Sequence, residues 1–266
     1  MEWWIAYLLL GLFVGLFAGM LGIGGGMLLV PPLVFIFSAQ HFPIERVLHL
    51  ALGTSLTTII FTSLYSIRAH QSHGAVRWDI FRHAAPGLVV GTLAGSFIAD
   101  WLDARYLAIV FVIFVSYSAT QMVLDMEPKP SRRLPGKIGM ALGAGAVGLI
   151  SSLVGAGGGV LSIPLLILCN VTMRNAVGTS AALGFPIALA GAIGYVYTGF
   201  GESGLPPMSL GYVFLPALAG IVIGTFITVP LGARLAHSMR VTLLKRIFAV
   251  LLFLLAGRML WSIFSS

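Results

Sequence analysis

The stretch LGIGGGMLLVPPLVF, from Leu21 to Phe35, places four glycines and two prolines inside a segment that is otherwise as apolar as lipid. Both residue types interrupt helices, glycine because its backbone is unrestrained and proline because it lacks an amide hydrogen. In a bilayer, irregular backbone persists only where it is buried in protein or lines a cavity. The stretch therefore predicts a helix that is broken at depth for a functional reason.

The overall composition is typical of a membrane protein. Of 266 residues, 58% are hydrophobic and 9% are charged, whereas a soluble globular domain carries about 25% charged residues. Apolar runs of about 17 to 25 residues, long enough to cross a hydrocarbon core, recur along the whole chain. The clearest of them cover about 3–20, 47–67, 83–99, 106–124, 138–153, 175–198, 211–230 and 243–263. We therefore expect an all-α, polytopic membrane protein.

The net charge and the cysteine content bear on nucleic-acid binding, disulfides and metal sites. The net charge of +7 could indicate nucleic-acid binding, but the basic residues fall in short loops between apolar runs, which is where topology signals lie. We therefore expect no nucleic-acid partner. Cys169 is the one cysteine, so no disulfide forms within the chain, and His70 and His73 lack an evident third ligand for a metal. No cofactor and no metal are predicted.

The chain contains an internal repeat. Three motifs of the first half return in the same order in the second half: LGIGGGMLLVPPL (Leu21–Leu33) as VGAGGGVLSIPLL (Val154–Leu166), ALGTS (Ala51–Ser55) as AVGTS (Ala176–Ser180), and the segment after Pro86 as the segment after Pro216. The same order and similar spacing of the motifs in the two halves indicate a duplication. We expect a first transmembrane repeat at 1–125, a cytoplasmic linker at 126–137 and a second transmembrane repeat at 138–266.

The distribution of basic residues gives the orientation of the repeats. Arginine and lysine are concentrated in three loops, at 68–82, 125–137 and 231–246, whereas the loop 199–210 holds Glu202 and no basic residue. Because cytoplasmic loops are enriched in basic residues, the three loops are predicted to be cytoplasmic and the loop 199–210 external. Each half then crosses the membrane an odd number of times, so the halves are inverted repeats.

Two short segments leave the number of spans open. The pieces that follow the glycine runs, about 27–42 and 159–170, either cross the membrane or re-enter it as half-helices. The number of crossings per half is odd in both cases. We therefore predict a helical bundle of two inverted repeats with about eight to ten transmembrane segments, including a short broken or re-entrant helix after each glycine-rich motif.

The glycine runs are candidate anion sites. A short helix that follows a glycine run begins with about four free amide groups and roughly half a positive charge, and glycine lets a ligand approach closely. Paired interrupted segments in two inverted halves indicate the binding site of a transporter. The predicted substrate-binding glycines are Gly24, Gly25, Gly26, Gly157, Gly158 and Gly159. Close helix packing is the alternative, and it is preferred for two small-residue pairs, Gly91 with Gly95 and Gly220 with Gly224.

Hydroxyl groups follow each glycine run at matching places. Thr54 and Ser55 belong to the first GTS motif, and Thr179 and Ser180 belong to the second. Hydroxyls donate to anion oxygens without a fixed charge that would slow release, so these four residues join the predicted substrate site. The alternative is that they donate to a carbonyl one turn earlier, as serine and threonine often do in membrane helices.

Other functional classes find little support in the sequence. A dinucleotide fingerprint would need glycine where Met27 and Val160 stand. No catalytic Ser–His pair, paired aspartate or zinc ligand set falls in the apolar runs, so we expect no enzyme. His49 and Arg174 align just before the two GTS motifs, where they either attract an anion or mark the membrane interface. A passive anion channel of similar architecture stays the alternative to a secondary carrier.

The motifs resemble those of a known family. The resemblance to the sulfite exporter TauE/SafE family of membrane permeases covers essentially the whole chain and rests on five segments: GMLGIGGGMLLVPPLVF (Gly19–Phe35), LGTS (Leu52–Ser55), GLISSLVGAGGGVLSIPLLIL (Gly148–Leu168), AVGTSAALGFP (Ala176–Pro186) and VTLLKRIFAVLLFLLAGRML (Val241–Leu260). The resemblance implies transport of small organic or inorganic sulfur anions, such as sulfite, sulfoacetate, sulfolactate or thiosulfate.

The resemblance also implies a setting for the protein. We expect a multi-pass protein of the bacterial inner membrane that acts as an exporter, with a small anionic substrate and the lipid bilayer as its partners. A homo-oligomer stays open. The identity of the sulfur anion, the direction of transport and the coupling ion do not follow from a family this broad.

Overall fold

Helices make up nearly all of the structure. The computed structural model describes residues 2–21, 25–124, 131–236 and 241–265. The helices in these ranges are α1 (Glu2–Leu21), α2 (Gly26–Ala39), α3 (Ile44–Gln71), α4 (Trp78–Trp101), α5 (Ala104–Val123), α6 (Lys137–Val154), α7 (Gly159–Leu168), α8 (Met173–Thr198), α9 (Leu215–Ala236) and α10 (Val241–Ser265). A short antiparallel ladder, β1 (Ser209–Leu210) with β2 (Val213–Phe214), lies between α8 and α9. The prediction of a helical polytopic protein is confirmed.

The helices differ in whether they can cross a bilayer. Within the described ranges, those that are long and apolar enough are α3, α4, α5, α6, α8 and the Leu215–Gly232 part of α9. The protein is therefore a multi-pass membrane protein. With 14 and 10 residues, α2 and α7 extend about 21 and 15 Å, against a hydrocarbon core of about 30 Å. Neither α2 nor α7 can cross the membrane on its own.

The pair α6 and α7 forms a hairpin that returns to the side on which it began. The amides of Ser131 and Arg132, which precede α6, donate to the carbonyl of Leu168 at the end of α7, at 3.1 and 2.9 Å. The side chain of Asn170 donates to the Arg132 carbonyl at 2.9 Å. Helix α7 is therefore a re-entrant half-helix, and its glycine-rich start lies at depth.

The pair α1 and α2 repeats this arrangement. Gln40, which follows α2, donates from its side-chain amide to the hydroxyl of Tyr7, near the start of α1. The ring centroids of Tyr7 and Phe37 lie 6.3 Å apart. Helix α2 thus ends on the side where α1 begins, and its first residue, Gly26, is buried.

The molecule has two ends, which we name by their residues. The linker end comprises residues 72–77, 131–136 and 170–174, and the Glu202 end comprises residues 40–49, 99–105 and 199–214. The Arg174 guanidinium donates to the His73 carbonyl at the linker end, and Arg46 pairs with Glu202 at the other end, at 2.7 Å. Residues 125–130 of the second basic loop, which include the start of the predicted linker, and residues 237–240 of the third basic loop lie outside the described ranges.

The first half crosses between these ends an odd number of times. Helices α3, α4 and α5 each run from one end to the other, whereas the hairpin α1–α2 opens at the Glu202 end and the hairpin α6–α7 opens at the linker end. Three full crossings in the first half place the second half upside down relative to the first. The predicted inverted repeat is therefore present in the fold.

The two halves are interleaved through close glycine contacts. Helix α1 packs mainly on α9, and α6 packs mainly on α4, so each half supplies a helix to the other. A Cβ on Gly91 would lie 1.9 Å from the Gly145 carbonyl oxygen, and one on Gly224 would lie 2.6 Å from the Leu8 carbonyl oxygen. The packing interpretation is confirmed at these two glycines.

Helices α3 and α8 lie at the centre of the molecule, where they contact each other. They carry the two GTS motifs, whose threonines and serines are all buried: Thr54, Ser55, Thr179 and Ser180. The short helices α2 and α7 pack on α3 and α8 respectively. Each short helix therefore packs on the helix that carries the GTS motif of its own half.

Candidate functional site

Both helix breaks are built on glycines in the left-handed conformation. Gly25 caps the start of α2 with φ 73°, and Gly158 caps the start of α7 with φ 75°. Gly155 ends α6 with φ 65°. Residues with a Cβ rarely adopt this conformation, so the sharp reversals favour glycine at these positions. Gly24, the first of the predicted site residues, lies outside the described residues.

The two breaks meet inside the protein. A Cβ on Gly26 would lie 2.3 Å from the carbonyl oxygen of Gly155, so the start of α2 touches the end of α6. The hydroxyl of Ser55 stands beside both and donates to the carbonyls of Gly26 at 3.2 Å and of Gly155 at 3.0 Å. One predicted hydroxyl of the first half therefore joins the glycine segments of both halves.

Helix α8 covers the second break. A Cβ on Gly184 would lie 3.0 Å from the Gly157 carbonyl oxygen, and one on Gly158 would lie 2.4 Å from Cδ1 of Ile187. Ser180, Gly184 and Ile187 follow one another at helical spacing, so they lie on one face of α8. That face carries Ser180 toward the same break.

The start of α7 has backbone donors without a partner among the described residues. The amides of Leu161 and Ser162 donate to the Gly158 carbonyl, at 3.1 and 2.8 Å, and no side chain caps the helix. Within the described ranges, the amides of Gly159 and Val160 have no partner. Because a helix start carries roughly half a positive charge, this buried end favours an anion.

Buried hydroxyls without a partner stand at the same break. Ser151 and Ser180 are 1% and 2% exposed, and neither hydroxyl finds a hydrogen-bond partner among the described residues. Ser151 Oγ lies 3.5 Å and Ser162 Oγ 3.7 Å from the position of a Cβ on Gly158. Ser180 is a predicted site residue. Ser151 and Ser162 are not, although they flank the glycine run in the sequence.

Two other buried hydroxyls without a described partner face a different interface. Ser152 Oγ lies 2.8 Å from the position of a Cβ on Gly95, and Thr92 Oγ1 lies 2.8 Å from that on Gly148. Both contacts belong to the packing of α4 against α6. These hydroxyls are therefore directed away from the start of α7.

The GTS threonines hold loops of the opposite half. Thr54 Oγ1 accepts from the amide of Phe214, and Thr179 Oγ1 accepts from the amide of Arg77, both at 3.0 Å. Phe214 directly precedes α9, and Arg77 directly precedes α4, so the two contacts are equivalent under the repeat. Each threonine hydroxyl keeps its own proton for a further acceptor.

The glycine of each GTS motif makes room for the same loop. A Cβ on Gly53 would lie 2.3 Å from the Tyr212 carbonyl oxygen, and one on Gly178 would lie 2.8 Å from the Ala75 carbonyl oxygen. The loop at 209–214 therefore closes on α3 at the Glu202 end, and the loop at 72–77 closes on α8 at the linker end. We call these the two end loops.

A polar network joins α3, α4 and the end loop 209–214. Arg46 donates to Glu202 at 2.7 Å and to the Tyr212 hydroxyl at 2.9 Å, and Tyr212 donates to Asp100 at 2.9 Å. Burial, followed by the hydrogen bond to Asp100, raises the pKa of Tyr212. The tyrosine therefore stays protonated and keeps donating to the carboxylate.

A cavity of about 540 Å³ opens beside this network. Its lining includes Arg46, Asp100 and Arg105, together with the buried His49. His49 Nε2 lies 2.8 Å from the Ala99 carbonyl oxygen. Because a carbonyl only accepts, this nitrogen carries hydrogen. The lining mixes both signs of charge, so the cavity as a whole does not select for an anion.

A second cavity, of about 210 Å³, lies between α4, α6 and α7 at the linker end. Its walls are mostly apolar, with Arg132 and Arg133 on the linker side and Ser162 on α7. Because Ser162 also lies close to Gly158, this cavity leads from the linker end toward the start of α7.

Comparison with known proteins places the chain among membrane transporters. The family model for the sulfite exporter TauE/SafE matches residues 7–259. A "Probable membrane transporter protein" of Haemophilus influenzae is 33% identical over 253 residues, covering 95% of this chain and 96% of that protein. No solved structure shows a significant match.

More distant relatives carry similar names. A probable membrane transporter protein of Bacillus subtilis is 29% identical over 87% of this chain and 90% of its own length. One from Methanocaldococcus jannaschii is 26% identical over 86% of this chain and 84% of its own length. The family match spans both inverted repeats and both glycine-capped breaks. The chain therefore belongs to the sulfite exporter TauE/SafE family of membrane transporters.

Proposed function

We propose that the protein is a secondary carrier that exports small sulfur-containing anions, such as sulfite, sulfoacetate or thiosulfate, across the bacterial inner membrane. The observation that carries this proposal is the meeting of two glycine-capped helix breaks, at Gly25–Gly26 and Gly155–Gly158, inside inverted repeats of a transporter family. The substrate binds at these breaks, between α2 and α7. The linker end faces the cytoplasm.

The chemistry of the breaks suits an oxyanion. Sulfite and sulfonates present several oxygens on one sulfur, and each oxygen accepts hydrogen bonds. Free amides at a helix start and nearby serine hydroxyls supply such donors. The segments 21–35 and 154–168 contain no lysine or arginine. The anion is then held by dipoles rather than by a full opposite charge, which favours its release on the far side.

The two end loops suit alternating access. Thr54 holds one loop at the Glu202 end, and Thr179 holds the other at the linker end. Release of one loop at a time would open the breaks to one side of the membrane. Helices α3 and α8 carry both the loop contacts and the serines of the site, so they connect substrate binding to opening.

Binding to the purified protein tests the substrate class. Thermal unfolding is followed with sulfite, thiosulfate, sulfoacetate and sulfate, with chloride as the control. We expect at least one sulfur anion to stabilise the wild type and the shift to vanish in Gly158→Val. Gly257→Val is the matched control, since a Cβ there meets no atom within 4 Å. If no sulfur anion stabilises the wild type, the substrate class is wrong.

Flux through reconstituted protein separates a carrier from a passive anion channel. A carrier gives saturable flux of labelled sulfite, and the flux is faster when unlabelled substrate is present on the opposite side of the membrane. A channel gives flux that grows in proportion to concentration, with no such acceleration. We expect the first pattern, because a separate end loop closes on the bundle at each end of the molecule. The second pattern would replace the carrier with the channel.

A further inference from the structure

The two breaks have similar backbone conformations, but the side chains around them differ. In the repeat, Ser151 stands where the first half has Ala18. A Cβ on Gly25 would meet Ala18 Cβ at 2.9 Å, whereas one on Gly158 would lie 3.5 Å from Ser151 Oγ. The same position is therefore apolar beside α2 and carries a hydroxyl beside α7.

The serines of the two GTS motifs also differ, because only the one in the first half has a hydrogen-bond partner among the described residues. Ser55 donates to two carbonyls, whereas Ser180, its counterpart, has no described partner and is 2% exposed. A buried hydroxyl without a partner costs free energy, so native structures rarely leave one unsatisfied. Here Ser151 and Ser180 are both unsatisfied within the described ranges. Ser151 Oγ lies beside Gly158, and Ser180 lies on the face of α8 that covers this break.

The start of α2 lacks room for the same ligand. The carbonyl oxygen of Gly155 and the hydroxyl of Ser55 already lie against Gly26, at 2.3 and 3.2 Å from the position of its Cβ. A carbonyl oxygen carries partial negative charge and repels an anion. A carbonyl oxygen and a hydroxyl of the chain itself thus already occupy the space beside the start of α2.

We propose that the oxyanion head of the substrate binds at the start of α7 alone, where Ser151, Ser180 and the amides of Gly159 and Val160 donate to it. The inference rests on the proposed function and assigns the site to one break. An oxyanion with two or three oxygens on one centre, such as a sulfite or a sulfonate, can accept from all four donors. The start of α2 is then a structural contact that positions α3 and α6.

The linker-end cavity gives this site a route of access. Ser162 lines that cavity and lies beside Gly158, and Arg132 and Arg133 lie on its linker side. The arginines attract an anion toward the opening, and the apolar walls between them and Ser162 offer it no competing donor. An anion that enters from the linker end would pass Arg132 and Arg133 before it meets Ser162.

Binding of sulfite and sulfoacetate to the full chain tests the assignment. Ser151→Ala and Ser180→Ala are each expected to weaken the affinity about tenfold, because each removes a donor to a charged acceptor. Ser152→Ala is the matched control, since its hydroxyl faces Gly95, and it is expected to bind as the wild type does. Wild-type affinity in the Ser151→Ala/Ser180→Ala double variant, or an equal loss in Ser152→Ala, would overturn the proposal.

A second pair of variants needs no substrate. Ser151→Asp places a carboxylate beside the free amides of α7, so the unfolding temperature is expected to stay at or above that of the wild type. Ser152→Asp places the same charge between α4 and α6, where its neighbour is Gly95, and the unfolding temperature is expected to fall. Equal losses in the two variants would overturn an anion site at α7.

The two experiments separate the two proposals. If the wild type binds neither sulfite nor sulfoacetate, the proposed substrate class fails, and the aspartate pair still decides whether the start of α7 accepts an anion. If the wild type binds and the serine variants bind equally well, the substrate class stands and the assignment to α7 fails.

Discussion

Ser55 and Gly155 lie in different halves of the chain, and the serine hydroxyl donates to the glycine carbonyl at 3.0 Å. The same hydroxyl reaches the carbonyl of Gly26 at 3.2 Å. One side chain of α3 therefore fixes the relative position of two helix breaks that are far apart in sequence. Its repeat counterpart, Ser180, has no such bond in the described chain.

Ser55→Ala is expected to destabilise the protein, whereas Ser180→Ala is not. The first change removes a buried donor from two carbonyls and should cost about 1–2 kcal/mol. The second removes no bond to a described residue and should stay within about 0.5 kcal/mol of the wild type. Unfolding of the purified variants without substrate, followed by circular dichroism, measures both. Equal stability of the two variants would contradict the asymmetry of the breaks.

Thr54→Val and Thr179→Val are expected to destabilise the protein to a similar extent. Each leaves a loop amide, that of Phe214 or Arg77, without its acceptor, which costs about 1–3 kcal/mol when the amide is buried. Thr54→Ser and Thr179→Ser keep the acceptor and serve as controls. Hydrogen exchange of the two amides should rise only in the valine variants. Unchanged exchange would mean that the threonines do not hold the end loops.

Gly158→Ala is expected to destabilise the protein, and Gly257→Ala is not. Gly158 has φ 75°, and a Cβ there would lie 2.4 Å from Cδ1 of Ile187, so alanine adds about 1–2 kcal/mol of backbone strain as well as a side-chain shift. Gly257 lies inside α10, where a Cβ meets open space and alanine stabilises the helix by about 0.5–1 kcal/mol. The unfolding temperature should fall in Gly158→Ala and rise in Gly257→Ala. A shift of both variants in one direction would argue against strain at the break.

Cys169 reports which end of the molecule faces the cytoplasm. It is a partly exposed, free cysteine that directly follows α7 at the linker end. A membrane-impermeant maleimide is expected to label it in inverted membrane vesicles and to leave it unlabelled in intact spheroplasts. The control is Ser203→Cys in a Cys169→Ser background, at the exposed Glu202 end, which should show the opposite pattern. Labelling of Cys169 from outside would reverse the proposed orientation.

Much of the fold follows from local sequence signals. Each of these signals lies within a short segment of sequence. The apolar runs predict the helices, the paired glycine motifs predict the helix breaks, and the basic loops predict the inverted orientation of the two halves. The predicted span 211–230 begins later, at Leu215, because residues 209–214 form the ladder and the end loop. That loop is held by contacts of Gly53 and Thr54 in the other half. No pattern within the segment itself indicates such distant contacts.

The candidate site is harder to predict for the same reason. The sequence marks Ser55 and Ser180 as equivalent members of the repeated motif, but the fold uses Ser55 to join the two breaks and leaves Ser180 without a described partner. The sequence shows that Ala18 of the first repeat corresponds to Ser151 of the second. Only the structure shows that Ser151 Oγ lies beside Gly158. The predicted roles of the glycines and hydroxyls in binding stay predictions.

The exchange of helices between the halves has a consequence for biosynthesis. Helix α1 is made first, but its main neighbour, α9, is translated near the end of the chain. The glycines of α1 that α9 covers, Gly11 and Gly15, have no such cover while the intervening helices are inserted. A ribosome that stops after the linker would leave a product in which α1 and α4 both lack their main neighbour. The packing of α1 is therefore a late event, which begins only when α9 enters the membrane.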